Sequence, residues 1–246
     1  MLTQYRLELH PDRPCRPRAE WGYRLYAALL EQMPAAFGTA AHQDGRTPIS
    51  QHLTAGDGAL RWTVSLLGTA CEAAASGALE RLDRICLEKD GILLTVRNRQ
   101  RSSVADVEAL LTLASCESGL HTLGFRTATA FKSRGQYLNL PSARLIVQSL
   151  IQKWNGCIAE CPIEDEDGQG TDALAAGLQL RSFRLQDRVY HLKGSPVPGF
   201  VGELTLENRL QGFPRQLADA LLVFAEYAGV GIKTTLGMGG VERLNR

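Results

Sequence analysis

Two stretches of the 246-residue chain combine residue types suited to chemistry. The first is His42-Gln43-Asp44-Gly45-Arg46-Thr47-Pro48, a polar, glycine-bearing run with a histidine four residues before an arginine. An imidazole titrates near pH ~6.5, so it can take and return a proton at neutral pH. A guanidinium can neutralise charge that develops on an anionic substrate. His52 is the reserve for the proton-transfer role, and Arg24 competes with Arg46 for that of the cation. The second stretch is Gly229-Val230-Gly231-Ile232-Lys233-Thr234-Thr235-Leu236-Gly237-Met238-Gly239-Gly240. Glycine permits positive φ and close backbone approach, and successive free amides can form a concave nest for an anion. Lys233, Thr234 and Thr235 project beside such a nest. The run lacks the P-loop pattern and follows a helix, whereas a dinucleotide fingerprint precedes one. Its alternative reading is a packed connection without a ligand.

The elements that must position these stretches occur in the same order twice. Leu2–Leu9 alternates as a strand, Trp21–Met33 has helical spacing, and Ile49–Leu53 with Leu60–Leu67 reads as a hairpin joined through Ala55-Gly56-Asp57-Gly58. Residues 69–84 predict a helix, and Ile85–Leu87 with Gly91–Arg97 return to strand. After a helical run at Val104–Leu113, the second half opens with a strand at Leu123–Phe131. Pro141 then sits at the first turn of a helix ending at Trp154. Glu160–Thr171 reads as a solvated acidic loop. Leu178–Gln186 and Gly199–Leu206 pair, with Pro196 and Pro198 in the connection, before a helix at Phe213–Tyr227 and a short strand at Gly240–Leu244. Two βαββαβ runs predict an α+β fold of two tandem ferredoxin-like units, residues 1–117 and 118–246.

Composition narrows the function classes. At 44% hydrophobic and 22% charged, the chain can bury a sizeable core, and no apolar run is long enough to span a bilayer. With no export signal the reading is cytoplasmic, with no membrane partner, and the six scattered cysteines are reduced thiols. Cys157 and Cys161 lack a second ligand pair, and no DxD or HExxH run occurs, so neither a metal nor a cofactor is expected. Net charge is only +1. Outside the acidic stretch at 160–172, however, residues 120–246 carry 14 basic side chains against six acidic ones. A basic face of that kind attracts phosphates.

The glycine stretch fits GhGxxxxxGhG, with h hydrophobic, at every position. In this it resembles the RAMP-type CRISPR-associated proteins, and the closest likeness is to the Cas-six endoribonucleases that cut precursor CRISPR RNA within its repeats. Trp21-Gly22-Tyr23-Arg24-Leu25-Tyr26 resembles that family's first helix, and His42 to Pro48 its active-site segment. Phe125 to Phe131, Pro141 to Leu145 and Gly199 to Gly202 are similar to its second unit. The resemblance implies the RAMP arrangement of two ferredoxin-like units and a metal-independent cleavage. In it the RNA's own 2′-hydroxyl attacks the adjacent phosphorus, leaving a 2′,3′-cyclic phosphate and a 5′-hydroxyl. It assigns the proton-transfer histidine to His42, with Tyr26 and Arg46 as candidates to orient the hydroxyl and hold the phosphate. Lys132, Arg134, Arg144, Lys153, Arg181, Arg184, Lys193 and Lys233 give the second unit its basic character, and part of this set with the glycine-rich loop is expected to hold RNA backbone. Lys132, Arg134, Arg144, Lys233, Thr234, Gly231, Gly237 and Gly239 are the expected RNA-binding set. Arg144 and Lys153 lie nine residues apart and need not share a helix face. Homodimerisation and membership of a CRISPR effector complex stay open. So does the alternative of a non-catalytic RNA-binding scaffold subunit on the same fold.

Overall fold

The computed structural model describes residues 1–18, 20–34, 47–56, 59–115 and 118–244. The first half contains β1 (Leu2–Pro11), α1 (Trp21–Glu31), β2 (Ile49–Ala55), β3 (Leu60–Leu67), α2 (Thr69–Arg81), β4 (Arg84–Leu87), β5 (Ile92–Val104) and α3 (Val107–Ser115). The second contains β6 (Leu120–Thr129), β7 (Phe131–Ser133), β8 (Gln136–Leu138), α4 (Ala143–Cys157), α5 (Gln169–Ala176), β9 (Leu178–Leu192), β10 (Ser195–Asn208), α6 (Gly212–Ala228) and β11 (Val241–Arg243). The strand orders are β2-β3-β1-β5-β4 and β11-β6-β10-β9, antiparallel at every pairing. In each sheet the first strand lies between the third and the fourth, which makes both units ferredoxin-like; β4 adds an edge strand to the first.

Strand alternation decides what each face of the first sheet meets. Tyr5, Leu7 and Leu9 of β1 and Trp62, Val64 and Leu66 of β3 pack with Leu25, Leu29 and Leu79 of α1 and α2. The opposite face carries Gln4, Ser50, His52 and Ser65, which are polar yet buried. The second unit covers them. Glu226, near the end of α6, accepts a hydrogen bond from Gln4 at its carbonyl and pairs with Arg6 at 3.0 Å. Core membership also crosses the chain midpoint. Val104 of β5 and Leu110 and Ala114 of α3 belong to the cluster that holds Phe125, Trp154, Phe200 and Phe224.

Several expectations need correction. β5 runs on to Val104, because its polar end from Arg99 to Ser103 keeps pairing with β1, and the helix starts only at Val107. Pro141 precedes helix α4; the cap is Ser142, whose hydroxyl accepts from the Leu145 amide at 3.2 Å. Pro196 and Pro198 lie inside β10, and the turn is Lys193-Gly194 with both φ positive. Those prolines are tolerated because β10 pairs with β6 only from Phe200 onward, so the missing N–H groups disrupt no ladder on that side. The β7–β8 hairpin, turning on Arg134-Gly135 with both φ positive, was not expected at all.

The acidic stretch is also more than a solvated loop. The Asp165 carboxylate accepts from the amides of Gly170 and Thr171 at 2.8 and 3.1 Å and from the Thr171 hydroxyl, capping the first turn of α5. The Thr171 hydroxyl is the largest cause holding this carboxyl below the usual aspartate range. Asp165→Ala should therefore lower unfolding free energy by about 1 kcal/mol, the usual worth of such a cap. Glu166→Ala, an exposed neighbour, should leave urea melts unchanged. Equal melts for both variants would remove the capping role.

Candidate nucleic-acid interface

The glycine stretch forms two arms that fold against each other and against β6. Val230 donates to Gly239 O at 2.9 Å, Ile232 to Ala130 O at 2.9 Å, and Gly239 to Ala128 O at 3.0 Å. Gly231 donates to the Ser149 hydroxyl and Gly240 to that of Thr127. A side chain on Gly231 or Gly239 would begin 2.2 Å from a backbone carbonyl oxygen, of Ala130 or Val230 respectively. The amides of Gly231 and Gly239 are therefore spent inside the fold. This corrects the expectation that they form an anion nest: these two glycines permit close packing, with Val230 and Met238 fully buried between them.

The loop also seals the first unit. It lies across the free edge of β2, where Gln51 Nε2 donates to both Gly22 O and Thr235 O at 2.9 Å. Gln51 Oε1 accepts from the Trp62 indole at 2.9 Å, so each polar atom of this buried amide has a partner. A Cβ on Gly22 would sit 3.3 Å from the Gly237 Cα, and one on Gly237 would sit 2.8 Å from the Tyr190 hydroxyl. Gly237 thus also serves backbone approach. The tip of the β9–β10 hairpin crosses to the same place, with the Lys193 ammonium 4.9 Å from the ring centre of Tyr23.

Beside this seam lies a cleft of about 360 Å³ with Lys153, Lys233, Thr234, Thr235, Ser149 and Thr47 in its wall. A second hollow, bounded by Lys132, Arg144 and Gln148, shares Ser149, Gln152 and Gly231 with the first, so the two form one groove along α4. The structure therefore brings Lys132, Arg144, Lys233, Thr234 and Gly231 to a common groove. Arg134 stands at the exposed tip of the β7–β8 hairpin, and Gly237 borders a different hollow with Arg18, Arg126 and Arg188. Arg144 is held by Asp172 at 2.5 Å. Arg144 and Lys153 both border the groove, with Gln148 and Gln152 between them.

His42 and Arg46 lie outside the described residues. Thr47, the next residue after Arg46, stands in the cleft wall. Tyr26 is 7% exposed, its phenol hydrogen-bonded to the Thr47 side chain, and burial pushes its pKa up. That placement corrects the idea of a phenol presented to substrate; Tyr26 anchors the chain where segment 35–46 ends. Arg24 is ion-paired with Asp90, which removes it as a rival to Arg46. His121 is pinned to Asp219 at 2.7 Å within the second unit. His52 is 4% exposed beneath Gly240, and its Nε2 has no hydrogen-bond partner. No substrate can reach it, so it is not a reserve for proton transfer. Among the described residues, no three His, Cys, Asp or Glu side chains converge to hold a metal ion. Nor is any described helix long and apolar enough to cross a membrane.

The family model for CRISPR-associated endoribonuclease Cas6 matches residues 123–241, from β6 into β11. A CRISPR-associated endoribonuclease Cas6 of Mycobacterium tuberculosis is 31% identical over 254 residues, spanning 98% of this chain and 78% of its own length. The chain belongs to the Cas6 family. A Streptococcus thermophilus Cas6 is 29% identical over 227 residues, 92% of each chain. Among solved structures, a Cas6 product complex superposes with a TM-score of 0.76 at 25% identity, covering 99% of this chain and 100% of that one. Thermus thermophilus Cas6 gives 0.70 at 26% identity, with 99% and 98% covered. Both comparisons agree with the tandem ferredoxin-like architecture.

In this Cas6 chain the side chains that sequence reasoning missed are Gln51 and Ser149. A glutamine or serine inside an apolar element carries no signal of its partner until the fold brings one. His52 shows the energetic side of the same seam. Burial, helped by Arg6 and Arg126, lowers its pKa to about 4, against the opposing pull of Glu242. An unfolded chain protonates this histidine below pH ~6.5, while the folded one resists until about pH 4. Stability is thus complete above that unfolded value and is lost as pH falls toward the folded one. Urea melts should lose about 2 kcal/mol between pH 7 and pH 5, and His52→Phe should abolish most of that loss. An equal acid step in the variant would place its source elsewhere.

Proposed function

We propose that this Cas6 protein is a metal-independent endoribonuclease that cuts precursor CRISPR RNA within its repeats to release guide RNAs. The observation that carries the reading is where the basic groove ends. It follows α4 and the glycine-rich loop to Thr47, which Tyr26 holds directly after the segment bearing His42 and Arg46. A phosphodiester lying in that groove would reach Thr47, the neighbour in sequence of the residues that suit proton transfer and charge neutralisation.

In the mechanism, His42 acts on the protons of the reaction: one leaves the 2′-hydroxyl as its oxygen attacks phosphorus, and one joins the departing 5′-oxygen. Arg46 neutralises the extra negative charge on the phosphorane-like transition state. Tyr26 positions Thr47 and through it the end of the segment. Lys132, Arg134, Arg144, Lys233 and Thr234 hold the RNA backbone, a recognition mainly of shape and phosphate. The products are a 2′,3′-cyclic phosphate and a 5′-hydroxyl.

His42→Ala should slow single-turnover cleavage of a labelled repeat RNA by about 10²- to 10⁴-fold, while its affinity for that RNA barely changes. Wild-type protein should cut the same RNA in EDTA and fail on RNA carrying 2′-deoxy at the cut site. Cleavage of the deoxy substrate would show that water is the nucleophile and overturn the mechanism. Tight binding of the unmodified RNA with no cleavage would point instead to a scaffold subunit.

A further inference from the structure

Charge pairing elsewhere in the protein makes one ammonium conspicuous. Arg126 is paired with Glu242, Arg144 with Asp172, Arg24 with Asp90, and both Arg6 and Arg243 with Glu226. Among the described residues Lys153 of α4 has no such carboxylate: none of them that lines the inter-unit cleft is acidic. Its ammonium donates to the Thr234 hydroxyl at 2.8 Å. An ammonium has three hydrogens to donate, so two are left for whatever enters the cleft. Taking an unpaired ammonium out of water costs several kcal/mol, and burial lowers the Lys153 pKa to about 8. The fold thus holds a strained positive charge at a position open to ligand.

The neighbouring groups say which ligand suits it. Ser149 accepts the Gly231 amide and keeps its own hydroxyl hydrogen to give. Gln152, Thr235 and Lys233 add further donors, and no acidic side chain among the described residues lines the cleft with them. The polar part of the described wall offers donors and cations and fits an anion, while Ile49, Leu67, Ala228 and Leu236 form its apolar part. Arg144 stands nine residues earlier on α4, roughly 13 Å along the helix axis, with Lys132 of β7 beside it. One phosphate cannot span that distance; a polymer of phosphates can.

We propose that Lys153, held by Thr234 of the glycine-rich loop, is a phosphate-binding residue of the RNA path and seats a backbone phosphate beside Thr47. The proposal rests on the RNA-cleaving reading above and adds to it the residue that fixes the backbone at the end of the groove. Approach of a phosphate restores the missing counter-charge, so binding favours the protonated lysine. Affinity should then fall as pH rises through about 8, where the free lysine loses its proton. Among the described residues the titratable groups around it are Cys157, one turn along α4, and Lys233 from the loop; the first unit contributes Thr47, Ile49 and Leu67, which do not titrate in this range. A Cys157 thiolate would favour the ammonium, opposite to burial.

The test uses the full-length protein and a repeat RNA with 2′-deoxy at the cut site, so that binding is read without cleavage. Lys153→Met should weaken affinity about ten- to hundredfold, the range for losing a charged hydrogen bond. It should also reduce the salt slope by about 0.7 to 0.9. Its urea midpoint should not fall, since the variant removes a half-buried charge that no described carboxylate offsets. Lys153→Arg should bind at neutral pH and lose the decline between about pH 7 and 9, because a guanidinium stays charged. That flattened profile keeps the inference testable even if the Met variant folds poorly. Wild-type affinity and salt slope in Lys153→Met, or an unchanged pH profile in Lys153→Arg, would overturn the assignment of Lys153 while leaving the nuclease reading intact. Wild-type protein that neither binds nor cuts repeat RNA would overturn both.

Discussion

Everything at the candidate site depends on how the glycine-rich loop closes over the edge of β2. A buried amide, Gln51, ties together the start of α1 through Gly22 O, the loop through Thr235 O, and the core of the first unit through the Trp62 indole. Hydrogen bonds of this kind contribute only about 1 kcal/mol each, but leaving one buried partner unsatisfied costs more. The constraint is therefore collective: shifting the loop would orphan several groups at once. The Gly22–Gly237 approach adds a steric condition, because any side chain at either position would push the two backbones apart. An exposed edge strand is thereby covered, and the two units are held in one relation.

This seam explains why a polar sheet face is buried. Gln4, Ser50, His52 and Ser65 would ordinarily mark the solvated side of a half-covered sheet. Here α6 and the loop cover it, and Gln4 finds partners in Ser65 and Glu226. His52 does not, and its depressed pKa records the cost. The side chains that could have lined a ligand surface are instead consumed in joining the units. Ligand chemistry is left to the groove alongside, where Lys153 has no carboxylate partner among the described residues.

The sequence makes the architecture legible because strand alternation and helical spacing are local signals. Leu2–Leu9 and Leu60–Leu67 show their buried faces without knowledge of any neighbour. What is illegible depends on partners distant in sequence. The Arg99–Ser103 end of β5 is a strand because β1 pairs with it, not because its residues prefer that state. Leu110 and Ala114 join the second core because α3 packs against α6. For the site, the anion-nest reading of Gly231 and Gly239 was reasonable from composition, yet it needed the knowledge that Ser149 and Ala128 accept their amides. Tyr26 illustrates the same limit, since its helix position is equally compatible with presenting a phenol and with burying one. His42 and Arg46 are legible only as types in a polar run.

The distribution of satisfied and unsatisfied groups gives the fold a physical division of labour. Where rigidity is needed, at the β2 edge and in the glycine arms, amides and side-chain polar atoms are paired almost completely. In the cleft next to it, Lys153 keeps its charge without a carboxylate, although an acidic residue on a neighbouring element would have relieved the desolvation cost. Such a carboxylate would stabilise the free protein and equally compete with any incoming phosphate. Arg144 shows the compromise form, with Asp172 at 2.5 Å on an exposed surface, where water screens the pair and exchange for a phosphate costs little. Deeper in the groove the same pairing would be much harder to break, because screening is weaker there. A cation meant to be displaced onto substrate can therefore be paired at the rim, whereas one in the cleft serves substrate best when it is left alone.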